Sequence, residues 1–263
     1  MKLILDDVVG RFRNFFTEMK TNGPEVATKK ISPSGLACQV AVAYKLTGVE
    51  MLPEYRSFES DGYASSGSAR HQTIQEFLQK CPGVEWVNIE QYIKENNLPF
   101  DVDYEWGIRD KAEKYGLTCE QVCELVGSHE RLLRHHNGLI QFKLDGLIKF
   151  EGEYYIVEIK TCSDADSKKA PLQKHQLQGK SYSLLLKIPK IIWIYESREN
   201  FKHVIAFQEI QPDEIEEIRS YLNNIVKFKN DPTKLSRSMD CKFCRYREHC
   251  EKVFANVASK TVF

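Results

Sequence analysis

The sequence predicts an α/β fold, and three observations carry that expectation. Two strand-like segments, Gln141–Phe150 and Tyr154–Cys162, flank Glu151-Gly152, a pair suited to a tight turn. A helix-length, lysine-rich segment from about Pro171 to Leu186 follows, and after it two β-branched and aromatic runs, Ile191–Glu196 and Val204–Ile210. A last amphipathic helix opens at Pro212-Asp213, with Ile215, Ile218, Leu222 and Ile225 on one face.

The N-terminal half reads as helical. Leu3–Lys20 has amphipathic spacing and ends near Asn22-Gly23-Pro24. Ser32-Pro33-Ser34 looks like a helix start, with Pro33 suited to the first turn, and the helix runs through Tyr44 to a stop near Gly48. A polar, Ser/Gly-rich loop is expected from Ser57 to Gly67. Ser68 then caps a helix through Lys80 whose apolar face is Ile74, Phe77, Leu78 and Cys81, closed by Pro82-Gly83. Glu85–Glu130 reads as mostly helical, with segments Asp110–Tyr115 and Cys119–Leu125, and carries no interpretable motif. No internal repeat and no linker divides the 263 residues, so a single domain over 1–263 is expected.

Composition narrows the class. Apolar content of 42% and charged content of 28% are those of a globular chain rather than a disordered one. The first residues hold too short an apolar run for a signal peptide, and runs such as Ile188–Tyr195 fall short of a membrane span. A cytoplasmic protein without membrane contact is expected. Net charge is zero, so no general pull toward nucleic acid exists. Locally, however, Lys168, Lys169, Lys174, Lys180, Lys187 and Lys190 occur between Asp166 and Glu196 without an intervening acid. They read as a solvated helix face or, beside the hairpin acids, as a track for backbone phosphates.

The hairpin carries the chemistry. With a two-residue turn, Phe150 pairs with Glu153 and Asp145 falls opposite Glu158, with Cβ atoms about 5 Å apart. Carboxylates that close repel each other unless a cation lies between them. Lys160, two residues beyond Glu158, projects from the same sheet face. Two acids and a lysine on one face suit a divalent-metal site for phosphodiester hydrolysis. A surface pairing of each acid with a lysine is the plainer reading, but Glu158 lies among Tyr155, Ile156, Val157 and Ile159, and a covered acid needs a partner. His71 falls on the apolar stripe of its helix, where a satisfied core histidine is the ordinary outcome and a nitrogen ligand for the acids the sharper one. Gln178 and Tyr182 are four residues apart and share a helix face. Gly179-Lys180-Ser181 lacks the earlier glycine of a phosphate-binding loop, since Lys174 stands there, so no ATPase is expected.

The eight cysteines add a second signal. Cys81 reads as core, and Cys119 with Cys123 has helical spacing. Cys241-x2-Cys244-x5-Cys250 lies in a short basic segment with little room for a core, a pattern of metal or cluster ligation. A 4Fe–4S cluster needs a fourth thiolate from elsewhere; His249 would instead complete a zinc site.

Taken in order, these motifs resemble the RecB-like branch of the PD-(D/E)XK nuclease superfamily. More narrowly they are similar to its iron–sulfur members, such as the CRISPR-associated RecB-like exonucleases and the AddB nuclease domain. Ser32-Pro-Ser-Gly-Leu-Ala-Cys38 is similar to the opening helix with its first cluster cysteine, and Gly67-Ser-Ala-Arg-His71 to the histidine helix. Asp145, Glu158-Ile159-Lys160, Gln178-x3-Tyr182 and the C-terminal cysteines complete the set. Leu144 replaces the proline of the superfamily name, Gln39 stands where a proline is frequent, and Glu85–Glu130 has no counterpart.

The resemblance implies a restriction-endonuclease-like fold: a mixed central sheet flanked by helices on both faces, with a C-terminal cysteine segment. It implies that His71, Asp145, Glu158 and the Ile159 carbonyl hold Mg2+ or Mn2+. Lys160 then positions water and stabilises charge on the phosphate, while Gln178 and Tyr182 orient nucleic acid or the active-site groups. Cys38, Cys241, Cys244 and Cys250 bind a 4Fe–4S cluster that ties the N-terminal helices to the C-terminus. That closes a loop of roughly two hundred residues, a large constraint on the unfolded chain. The implied function is a metal-dependent DNA nuclease, an exonuclease on single-stranded ends, in DNA repair, recombination, phage DNA processing or CRISPR adaptation. Helicase, recombination or CRISPR-adaptation proteins are the implied partners, and an oligomer is compatible with the superfamily. The competing expectations are a non-catalytic DNA-binding adaptor subunit with a structural metal site, a zinc-stabilised protein, and an RNA-directed nuclease.

Overall fold

The computed structural model describes residues 20–22, 25–56, 58–104, 106–126, 131–163, 171–238, 241 and 244–260. The expected helix over Leu3–Lys20 lies outside them except for Lys20, as do Lys168 and Lys169. Twelve strands are present among the described residues. β1 (Lys20–Asn22) pairs with β4 (Glu54–Arg56), and β2 (Glu25–Val26) with β3 (Glu50–Met51), all antiparallel. β6 (Phe100–Asp103), β7 (Leu132–His135) and β8 (Gln141–Lys143) form a three-stranded antiparallel sheet. The central sheet joins β5 (Val84–Trp86), β9 (Gly146–Phe150), β10 (Glu153–Cys162), β11 (Lys190–Ser197) and β12 (His203–Glu209) in the order β12-β11-β10-β9-β5. Only β10 and β11 run parallel, and the Gln173–Leu186 helix makes the crossover that such a pair requires.

Side-chain alternation along β10 builds the two halves of the core. Ile156 joins Ile191, Trp193, Tyr195, Tyr182 and Leu186 beneath the crossover helix. Val157 and Ile159 join Ile148, Ile194 and Ile74 beneath the Phe58–Leu78 helix. The sheet is therefore covered by helices on both faces, the mixed α/β arrangement expected. Gly179 lets the crossover helix approach closely: a Cβ there would lie 2.8 Å from Ile191 Cδ1 and 2.8 Å from Gln208 Oε1.

Several local expectations are corrected. Pro33–Gly35 is a short 3-10 turn, and the helix begins only at Gln39, ending at a left-handed Gly48 with φ 77°. The Ser57–Gly67 loop is instead the first half of the Phe58–Leu78 helix; Ser57 itself lies outside the described residues. Ser68 is not its cap but sits inside it, its Oγ donating to the Ala64 carbonyl at 3.2 Å. Serine can bond back to the preceding turn in this way, and no proline interrupts the segment. Phe77 and Cys81 are exposed rather than core, because only Ile74 and Leu78 meet the sheet. The 85–130 region holds β6 as well as the helices Ile89–Glu95, Trp106–Tyr115 and Cys119–Val126. Among the described residues no helix is long and apolar enough to cross a membrane.

The lysine track also changes. Lys180 is paired with Glu214 at 3.0 Å and Glu217 at 2.9 Å, and Lys190 with Glu153. These acids come from other elements, so two of the run's six lysines find acidic partners in space that the sequence does not place beside them.

Candidate active site

The hairpin fixes the centre of the site. Glu151 and Gly152 both take positive φ, 50° and 85°, and the ladder pairs Phe150 with Glu153 and Gly146 with Val157. The expected strand Gln141–Phe150 is broken at Leu144-Asp145, between β8 and β9. Pairing with β10 therefore stops one residue short of Asp145, which leaves the β10 edge open beside Ile159. Asp145 Oδ2 takes the Ile159 N–H at 2.7 Å. The N–H and C=O of a strand residue point to the same edge, so the Ile159 carbonyl also faces this gap.

Other elements hold the acids in place. Gln75, buried on the Phe58–Leu78 helix, donates to the Asp145 carbonyl at 2.6 Å. His71, one turn earlier, brings Nδ1 to 3.5 Å from Asp145 Oδ1. Glu158 is only 2% exposed and receives Lys160 Nζ at 2.6 Å and Gln178 Nε2 at 2.9 Å on the same oxygen. Gln178 also donates to Tyr182 Oη at 2.9 Å, and that hydroxyl donates to the Lys143 carbonyl at 3.0 Å. Burial, and then the neighbouring Asp145 charge, push the Glu158 carboxyl up to about 7, although Lys160 pulls the other way. Two acids sharing a buried site behave in this manner.

His71, Asp145, Glu158, Ile159, Lys160, Gln178 and Tyr182 thus share one region of the fold. Gln178 and Tyr182 are buried, so they touch Glu158 and the backbone rather than solvent. A cleft of about 460 Å³ opens onto Asp145 and His71, with Tyr63, Gly67, Thr161 and Arg198 on its walls. A recess of about 490 Å³ on the other side of Gly146, beside Trp86 and Arg131, is lined by none of the expected chemical groups. Among the described residues no three His, Cys, Asp or Glu side chains are grouped so as to hold a metal ion. The donors beside the gap are nonetheless hard oxygens, the class that Mg2+ and Mn2+ prefer.

Two groups had no sequence signal. Gln75 reaches Asp145 across 70 residues, and only its place one turn after His71 hinted at a shared face. Arg70 clamps the fully buried Glu196 with two bonds, at 2.6 and 2.7 Å, and His203 Nε2 lies 2.7 Å from the same carboxylate. This pairing fixes the helix that carries His71 against β11.

Far from the acids, Cys38, Cys241, Cys244 and Cys250 line one recess with Tyr44 and Arg237. All four are free thiols, and Cys38 precedes the Gln39–Thr47 helix as its N-cap. Burial raises the Cys250 thiol, Arg237 opposes the rise, and Cys38, Cys241 and Cys244 add to it. His249 stands outside the recess lining and packs its ring edge-on against Tyr44 at 4.8 Å. All four are soft sulfur donors with no carboxylate among them, although they do not form a metal-holding group among the described residues.

No family model and no curated protein matches the chain. Solved structures similar to it include SSO0001, 18% identical, with 85% of this chain and 86% of that chain covered at a TM-score of 0.47. LHK-Exo in complex with dAMP, an alkaline exonuclease from Laribacter hongkongensis, is 12% identical, with 88% and 95% covered and a TM-score of 0.41. A phage-related exonuclease from Haemophilus somnus 129PT is 14% identical, with 76% and 93% covered and a TM-score of 0.32. Likenesses this distant fix no function, and the residues of the site carry the reading that follows.

Proposed function

We propose that the chain is a metal-dependent DNA nuclease, acting as an exonuclease on single-stranded ends. The observation that carries this reading is the paired acids at the open edge of β10. Asp145 is anchored on the Ile159 N–H at 2.7 Å, and buried Glu158 sits with Lys160 at 2.6 Å. Asp145, Glu158, the Ile159 carbonyl and His71 would hold Mg2+ or Mn2+. The ion, when bound, supplies the Lewis acidity that polarises a scissile phosphate and makes water a better nucleophile.

The chain's own groups do the rest. Gln178 and Tyr182 hold the Glu158 carboxylate in one orientation, and Gln75 fixes the Asp145 backbone. Lys160, partly exposed and tethered to Glu158, presents an ammonium where charge develops on the phosphate and can orient the attacking water. The four-thiol recess would hold a 4Fe–4S cluster as a structural tie, joining the start of the fold to residues 241–250 as parts of one domain. The pathway readings stay with the sequence resemblance: repair, recombination, phage DNA processing or CRISPR adaptation.

The test is cleavage of end-labelled single- and double-stranded DNA, with matched RNA, in Mn2+, Mg2+ or EDTA. Wild type is compared with Lys160→Ala. Metal-dependent digestion of DNA that the variant loses supports the proposal, and the product ladder gives polarity. Binding without cleavage by metal-replete wild type would overturn it in favour of a non-catalytic adaptor, and cleavage of RNA alone would redirect the substrate class.

A further inference from the structure

The cleft that opens onto Asp145 and His71 has a second end. Tyr63, Gly67 and His71 are spaced by four residues, so they form one stripe along the Phe58–Leu78 helix. Tyr63 and His71 are separated by roughly 12 Å of helix, at 1.5 Å per residue. Gly67 between them carries no side chain and lets the helix lie close over β10, where an added Cβ would stand 3.2 Å from Thr161 Oγ1. The stripe is therefore a trough with an aromatic ring at one end and His71 with Asp145 at the other.

Arg198 faces Tyr63 across this trough, its guanidinium carbon 4.7 Å from the ring centroid. Its backbone N–H bonds the Cys162 carbonyl at 2.8 Å, which seats it where β10 and β11 end. Among the described residues it has no carboxylate partner, whereas Arg70, Arg131, Arg134, Arg219 and Arg245 all have one. It is also the one cation on the described walls of the cleft. A guanidinium held over an aromatic ring, with no carboxylate beside it, keeps N–H groups for a phosphate. Tyr63 is 56% exposed, and the ring face away from Arg198 is a platform for a base.

From this geometry we infer that Arg198 and Tyr63 form a nucleotide subsite for an unpaired strand, in the cleft that opens onto Asp145 and His71. Arg198 binds a backbone phosphate and Tyr63 stacks the adjoining base. The inference rests on the nuclease reading for the orientation of the strand, but its binding chemistry can be measured without cleavage.

The experiment uses the full chain and a fluorescent oligothymidine in EDTA, with the dissociation constant followed against salt. Arg198→Ala should weaken binding fivefold or more. It should also reduce the slope of log affinity against log salt by about 0.7, the share of one phosphate contact on a single strand. Tyr63→Ala should weaken binding by at least fivefold, whereas Tyr63→Phe, which keeps the ring, should bind as wild type. In cleavage assays both alanine variants should raise KM and leave kcat within about twofold. Both side chains are exposed, so the fold is not at risk. Unchanged affinity in either alanine variant, or a wild type that binds no single strand, overturns the subsite and leaves the nuclease reading to its own assay. The expected binding losses in a wild type that cleaves nothing would uphold the subsite and overturn the nuclease reading.

Discussion

Asp145 accepts the N–H of Ile159 through Oδ2 at 2.7 Å, so the strand break that carries the acid also closes the open edge of its neighbour. Asp145→Asn keeps the size but replaces one acceptor oxygen with a donor. If the nuclease reading holds, it and Lys160→Ala should each lower kcat by about a hundredfold or more, as loss of a charge-stabilising group does. Circular dichroism should show both folded. Activity within tenfold of wild type in both would remove these residues from the chemistry.

Without metal, Glu158 should work against the fold at neutral pH. Its folded carboxyl is raised to about 7 by burial and by Asp145. An acid raised in the folded state contributes stability that is complete below its unfolded value and lost as pH rises through its folded one. In EDTA, Glu158→Gln should melt above wild type at pH 8, at roughly 2–4 °C per kcal/mol gained. The advantage should shrink steadily as pH falls toward 4.5. A pH-independent difference would mean that packing, not charge, sets it.

The Arg70–Glu196 pair should be structural and strong. Glu196 is fully buried, and removing the opposing charge from a buried pair costs about 3–5 kcal/mol. Arg70 is 29% exposed, so Arg70→Ala should fall at or below the lower end of that range. Burial raises the Glu196 carboxyl, but Arg70 and His203 together leave it below its ordinary value. Its contribution is therefore present above the unfolded value and lost as pH falls through the folded one. Urea melts of wild type should weaken over that acid limb, and Arg70→Ala should flatten it.

Gly179→Ala should destabilise by about 1–3 kcal/mol through overpacking. The new Cβ would fall 2.8 Å from Cδ1 of Ile191 and 3.1 Å from the Trp193 ring, both fully buried side chains in the core. Thermal melts measure it, and an unchanged Tm would show that the helix can lift from the sheet.

Cys38→Ser should test the recess from its N-terminal side. Anaerobically purified wild type should carry iron and acid-labile sulfide in equal amounts, and the variant should lose both. Zinc in wild type, with no sulfide, would replace the cluster with a single-ion site.

The hairpin was legible because its turn pair demands two positive φ angles, and the register follows from turn length alone. The break at Leu144-Asp145 was not, since the apolar pattern runs through it without a glycine or proline until Gly146. The Phe58–Leu78 helix was half hidden because serine and glycine read as loop, whereas the sheet beneath it supplies the packing that propensity lacks. Lys180 and Lys190 looked unopposed because Glu153, Glu214 and Glu217 lie far away in sequence. Of the four thiols in the recess, three are neighbours in the chain; Cys38 was joined to them only by family resemblance.

The parallel pairing of β10 with β11 has a kinetic consequence. Its two strands are separated in sequence by the crossover helix, and non-local pairing of this kind is intrinsically slow. Glu158, Lys160 and the Gln178 that orients Glu158 all depend on that step. A nascent chain released before residue 190 would own both acids and the lysine yet lack the neighbouring strand that seats them, so the arrangement of these side chains is complete only once the sheet is whole.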